Sequence, residues 1–102
     1  MTKELIEITF GSAMSHAKKL DECADDMTRI AKTKIGNIKS DLYSTWQGDS
    51  ADAYVQKLDD TAQNMLTTAD KMRKTAKTIR EVAQIFRTTE LRAIELAQQR
   101  SY

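Results

Sequence analysis

From Ala51 to Phe86 the apolar residues Ala51, Val55, Leu58, Ala62, Met65, Ala69, Met72, Ala76, Ile79, Ala83 and Phe86 recur at alternating spacings of four and three, without a break. That period belongs to a helix whose stripe packs along a second helix at a left-handed crossing of about 20°. A strand cannot keep it, because strand side chains alternate with period two. Ala62, Ala69, Ala76 and Ala83 hold one seam position, with Leu58, Met65, Met72, Ile79 and Phe86 at the other. A small residue at every seventh position lets the neighbouring helix approach toward the short end of the usual spacing of about 8–10 Å.

The first half repeats the design, with Ala17, Ala24, Ala31 and Ile38 at one position, Leu20 and Met27 at the other, and Cys23 and Ile30 widening the stripe. Lys34 falls where the next seam residue is due, and Ile35, Ile38 and Leu42 take over one step along. The mismatch between 3.6 residues per turn and a 3.5-residue repeat accounts for such a shift. The pattern predicts a first helix over about 9–43, with Thr9 as N-cap and Ile6-Glu7-Ile8 as a short extended lead-in. A second helix is predicted over about 50–98, capped by Asp49 or Ser50.

Between the two stretches lies Trp46-Gln47-Gly48, which holds the only Trp beside one of the three glycines. Inside a helix Gly costs roughly 1 kcal/mol relative to Ala, whereas at a helix end it can take the positive φ that reverses the chain. Residues 44–49 therefore read as the turn of an antiparallel two-helix hairpin, and 102 residues with no Pro and 30% charged side chains suit a single all-α domain. A fold near Gln47 sets Ala31 beside Ala62, Ala24 beside Ala69 and Ala17 beside Ala76. It also sets the acidic cluster Asp21, Glu22, Asp25 and Asp26 beside Lys71, Arg73 and Lys74, so the apolar and charged patterns agree on one register.

The same register puts Phe86 opposite Ile8 and leaves the residues after about Thr88 as an overhang of roughly 20 Å. Leu91, Ile94 and Leu96 are then without an intrachain partner. A two-helix hairpin buries one stripe per helix and encloses no core, so the expected stable unit is a dimer forming a four-helix bundle.

Lys and Arg total 16 against 15 acidic residues, a net charge of +1 that gives no overall attraction to nucleic acid or anionic lipid. The basic stretch Lys71, Arg73, Lys74, Lys77 and Arg80 is flanked by Asp70 and Glu81 and reads as a solvated, salt-bridged face, so no nucleic-acid partner is expected. No segment approaches the roughly 20 apolar residues that span a bilayer, so no stable membrane insertion is expected. MTKELIEITF lacks the apolar run of a secretory signal. The expected course is synthesis in the cytoplasm, with any export by a route independent of a signal peptide.

Cys23 has no second Cys to pair with and reads as a buried small hydrophobe. His16, the only histidine, precedes it by seven residues, which separates the two by about 10.5 Å along a helix. A Cys-His dyad needs about 3 Å, and two ligands that far apart cannot share a metal. With no CxxC, HExxH or Gly-rich phosphate loop either, the chain is read as no enzyme, with no catalytic residue, metal or cofactor. What remains is binding, and Trp46 suits it either as a plug for the end of the hairpin or as an exposed anchor. A turn that fixes the indole would also present it.

A chain of about 100 residues with a central Trp-x-Gly between two heptad-patterned helices resembles the WXG100 (ESAT-6-like) family of bacterial type VII (ESX or Ess) secretion systems. The resemblance covers nearly the whole chain. It implies a secreted helical hairpin that pairs with itself, with a sister WXG100-like protein or with an LXG-type toxin, and is recognised by the secretion ATPase through the turn and a motif late in helix 2. That motif, Tyr-x-x-x-Asp/Glu, has its counterpart in Phe86-Arg87-Thr88-Thr89-Glu90, with Phe86 in place of Tyr. Phe there is similar to the small helical proteins that accompany LXG-type toxins into the same machinery. The resemblance thus also implies an alternative role as a cytosolic chaperone or adaptor for such a toxin or another helical partner.

Overall fold

The structure, a computed structural model, describes residues 1–100. Its helices are α1 (Lys3–Arg29), α2 (Ile35–Thr45) and α3 (Asp49–Gln99), with a π-helical turn over Ile30–Lys34 joining α1 to α2. No strand occurs among the described residues, and the fold is an all-α helical hairpin. The chain divides into two compact units, Glu22–Arg73 and Met1–Asp21 with the segment from Lys74 on.

In the unit Glu22–Arg73, Ala24, Ala31, Ile35, Ala51, Val55 and Ala69 are buried. Met27, Leu42, Leu58, Ala62, Met65 and Met72 are half-buried beside them, so the apolar stripes of both halves face inward. Arg73 donates to Asp25 at 3.1 Å and to Thr28 at 2.9 Å, and Lys39 pairs with Asp59. The Asp25–Arg73 pair realises the register in which the acidic cluster meets the basic run. Such exposed pairs contribute only about 0–1 kcal/mol each, so they select register more than they stabilise.

Two expectations fail here for local reasons. Ile38 is not a seam residue: it is 46% exposed. The Ile35 N–H donates to the Ile30 carbonyl, five residues back, so the π turn takes in one extra residue. Everything after it is rotated by one position, which brings Ile35 inward in place of Lys34 and turns Ile38 outward. A discrete insertion, not a gradual drift between 3.6 and 3.5, causes the shift. Cys23, expected inside, is exposed, because it lies about 100° around the helix from buried Ala24.

In the other unit Ile6, Ala17, Ala76 and Ala83 are buried, with Leu20, Ile79 and Phe86 half-buried. Arg80 pairs with Asp21, and Arg87 donates through Nε to Glu7 at 2.8 Å while its guanidinium lies 5.3 Å above the Phe10 ring. α1 begins at Lys3, well before Thr9, and Ile6-Glu7-Ile8 is helical. Thr2 is the cap: its carbonyl accepts from the Ile6 N–H at 3.1 Å and its hydroxyl oxygen from the Leu5 N–H at 3.1 Å. Alternation over three residues is too short to specify a strand, whereas one helical turn suffices to bury Ile6.

The longer α1 also corrects the expected overhang. Leu91 and Ile94 are half-buried, and with Lys3, Glu95 and Gln98 they line a cleft of about 250 Å³. They have an intrachain neighbour after all, and only Leu96 of the three remains exposed.

Candidate functional site

The sequence-predicted motifs fall in different units, the turn motif in Glu22–Arg73 and Phe86 with Glu90 in the other. At the turn, α2 stops at Thr45 because Trp46 leaves the helix with φ −142° and ψ 128°, while its N–H still bonds the Leu42 carbonyl at 2.7 Å. Ser44 and Thr45 donate their hydroxyls to the Asp41 carbonyl at 2.7 and 3.1 Å, satisfying one of the acceptors a helix end leaves open. Gly48 adopts φ 110°, and its carbonyl accepts from the Asp52 N–H at 3.0 Å. Gly48 thus stands at the cap position, and Asp49 is already helical. The carboxylates of Asp49 and Asp52 in the first turn of α3 sit where the helix dipole favours negative charge.

These constraints hold Trp46 at the tip with 42% of its surface exposed. Its ring lies 6.3 Å from that of Tyr54, tilted by 50°, and the Tyr43 hydroxyl reaches Asp52 at 3.5 Å. The indole thus packs against a neighbouring ring while part of it stays open to solvent. Sequence reading missed Tyr43 and Tyr54, which are also exposed. Their signal was position: each lies within about two helical turns of the break, where chain reversal brings Tyr54 to Trp46 and Tyr43 to Asp52.

Replacing Gly48 by Ala should lower stability by about 1–3 kcal/mol through backbone strain alone. A methyl group there would meet nothing within 4 Å, and φ 110° is the whole obstacle. Ala at Gly11, inside α1 and equally uncrowded, should raise stability by about 0.4–1 kcal/mol instead. Urea titrations of the two variants give opposite shifts in midpoint on this account.

Phe86 and Glu90 lie one turn apart on α3, and both are half-buried. Phe86 helps to line an open groove of about 410 Å³, formed by Thr9, Phe10 and Ala13 of α1 with Thr75, Thr78, Ile79, Val82 and Ala83 of α3. No charged side chain lines it. In the basic stretch, Arg73 pairs with Asp25 and Asp70, and Arg80 with Asp21. Among the described residues no three His, Cys, Asp or Glu side chains come together in a way that could hold a metal ion. Among them too, no helix is long and apolar enough to cross a membrane.

A two-helix arrangement that breaks at Trp-Gln-Gly and shows its aromatic rings there defines a class of small helical hairpin proteins. The model for WXG100, proteins of 100 residues with WXG, matches residues 5–91, and the chain belongs to that family. It is accordingly a small helical protein associated with type VII secretion. The family is non-enzymatic and exported without a signal peptide, and its members generally form homodimers or heterodimers. No curated protein and no solved structure matches the chain.

Proposed function

We propose that this chain is a type VII secretion substrate or co-secreted partner that acts by binding, with Trp46 and Gly48 shaping one recognition end and Phe86 with Glu90 forming a signal borne on α3. The observation that carries the reading is the turn, where the family's Trp-x-Gly holds a fixed and half-exposed indole. Aromatic anchors of this kind dominate binding energy where a partner desolvates them. The secretion ATPase is the proposed reader of the turn and of the α3 motif, and a second copy, a sister protein or an LXG-type toxin is the proposed travelling partner.

Trp46→Ala and Glu90→Ala should each abolish export from cells that carry the secretion system, with helicity and self-association largely kept. Trp46 is exposed and Glu90 half-buried, and circular dichroism of each purified variant separates loss of export from unfolding. Immunoblots of culture supernatant and cell pellet read the outcome. Secretion at the wild-type level by both variants would sink the proposal.

A further inference from the structure

Three aromatic side chains stay exposed at the turn: Tyr43 at 46%, Trp46 at 42% and Tyr54 at 50%. The buried positions are mostly alanines, so rings of this size at the surface stand out. Tyr54 and Asp52 are two residues apart on α3 and so point about 200° apart around it. The Trp46–Tyr54 pair therefore borders one side of the tip and the Tyr43–Asp52 contact the other. The two rings of the first pair meet at 50° and not stacked flat, which with their exposure leaves ring surface for a third planar group.

Charge sets the same segment apart. Residues 40–56 contain Asp41, Asp49 and Asp52 and no Lys, Arg or His, whereas the rest of the chain carries all 16 basic residues against 12 acidic ones. The three carboxylates are exposed, and among the described residues none of them pairs with a Lys or Arg. Lys39, the last cation before the turn, is engaged with Asp59. Over a Debye length of about 8 Å a partner feels this local charge and not the net charge of the chain. A basic segment is drawn to the tip, while an anionic lipid, a nucleic acid or the tip of a second copy is repelled. Arg suits it better than Lys, because the planar guanidinium stacks on aromatic faces and gives a carboxylate two parallel hydrogen bonds.

We infer that the turn docks a basic, arginine-bearing segment of a partner protein, one guanidinium lying on the Trp46 and Tyr54 rings and neighbouring cations meeting Asp49 and Asp52 across the tip. This names the partner's chemistry for the binding role proposed above and rests on that role, but its test uses the purified chain and does not pass through export. Trp46 is the only tryptophan, so its fluorescence reports occupancy directly. A short Arg-Gly repeat peptide should change the emission saturably and less tightly as salt is added, a Lys-Gly peptide should bind several-fold more weakly, and a Glu-Gly peptide should not bind. Asp49→Asn combined with Asp52→Asn should weaken the Arg peptide about fivefold, and Tyr54→Leu about threefold. Asp41→Asn should weaken it to a smaller extent. Lys57→Glu, which sets a carboxylate one turn from Tyr54, should tighten it.

An unchanged emission with the Arg peptide would overturn the inference, as would equal affinity for the Arg and Lys peptides or an affinity indifferent to salt. Should the Asn pair lose helicity, Asp41→Asn and Lys57→Glu decide, since neither removes charge from the first turn of α3. Wild-type affinity in both would overturn the inference. Saturable binding of the Glu peptide would overturn it too, giving the tip to an anion at the start of α3. Wild-type export by Trp46→Ala and Glu90→Ala would sink the secretion reading and leave peptide binding standing, so the two failures are read apart.

Discussion

Ile6→Ala should be the most damaging single truncation in the chain, lowering stability by about 2–5 kcal/mol. Most of the buried apolar positions are alanines, namely Ala17, Ala24, Ala31, Ala51, Ala69, Ala76 and Ala83, which leaves Ile6, Ile35 and Val55 as the larger buried side chains. Ile6 alone among large side chains is 0% exposed. Removing it takes away most of the apolar burial that fastens the first turns of α1. The effect should appear as a lower urea midpoint and as faster amide exchange near the start of α1, where the Thr2 cap and the Glu7–Arg87 pair would open together. A midpoint unchanged within about 0.5 kcal/mol, the usual range for surface positions, would show that α1 gains nothing from these residues.

Deletion of a single residue should distinguish the π turn from an ordinary stretch of helix. Removing Thr33 lets Ile30–Lys34 relax to an α-helix while Ile35 and Leu42 keep their inward positions, so stability should stay within about 1 kcal/mol of the wild type. Removing Asn37 does not allow this. If the π turn is kept, Leu42 rotates outward; if it is lost, Ile35 does. Either way the burial of one large side chain is forfeited, at a cost of about 1.5–3 kcal/mol. Circular dichroism during denaturation measures both deletions, and equal losses for the two would refute a discrete insertion as the origin of the shift.

What was legible in the sequence was whatever a strong local period or a long-range coincidence of patterns can specify. The uninterrupted alternation of four and three from Ala51 to Phe86 dictates α3, and all of its members prove buried or half-buried. The opposition of acidic and basic clusters anticipated the Asp25–Arg73 pair. Gly48 announced the reversal because only glycine takes φ 110° at little cost.

Other features had no local signature strong enough to read. The start of α1 looked extended because Ile6 and Ile8 flank Glu7, and only burial against the rest of its unit decides in favour of helix. Cys23 lies on the flank of a stripe whose edges the period alone does not define.

The sequence by itself determined that two apolar helical stripes must meet across a glycine turn, since period and backbone freedom are properties of the chain. Only the tertiary structure decided where the extra residue of the π turn is absorbed, how far α1 reaches along α3 from Lys74 on, and which side chains are left uncovered. Those outcomes depend on the summed burial of residues far apart in sequence, and no window of neighbouring letters contains that sum.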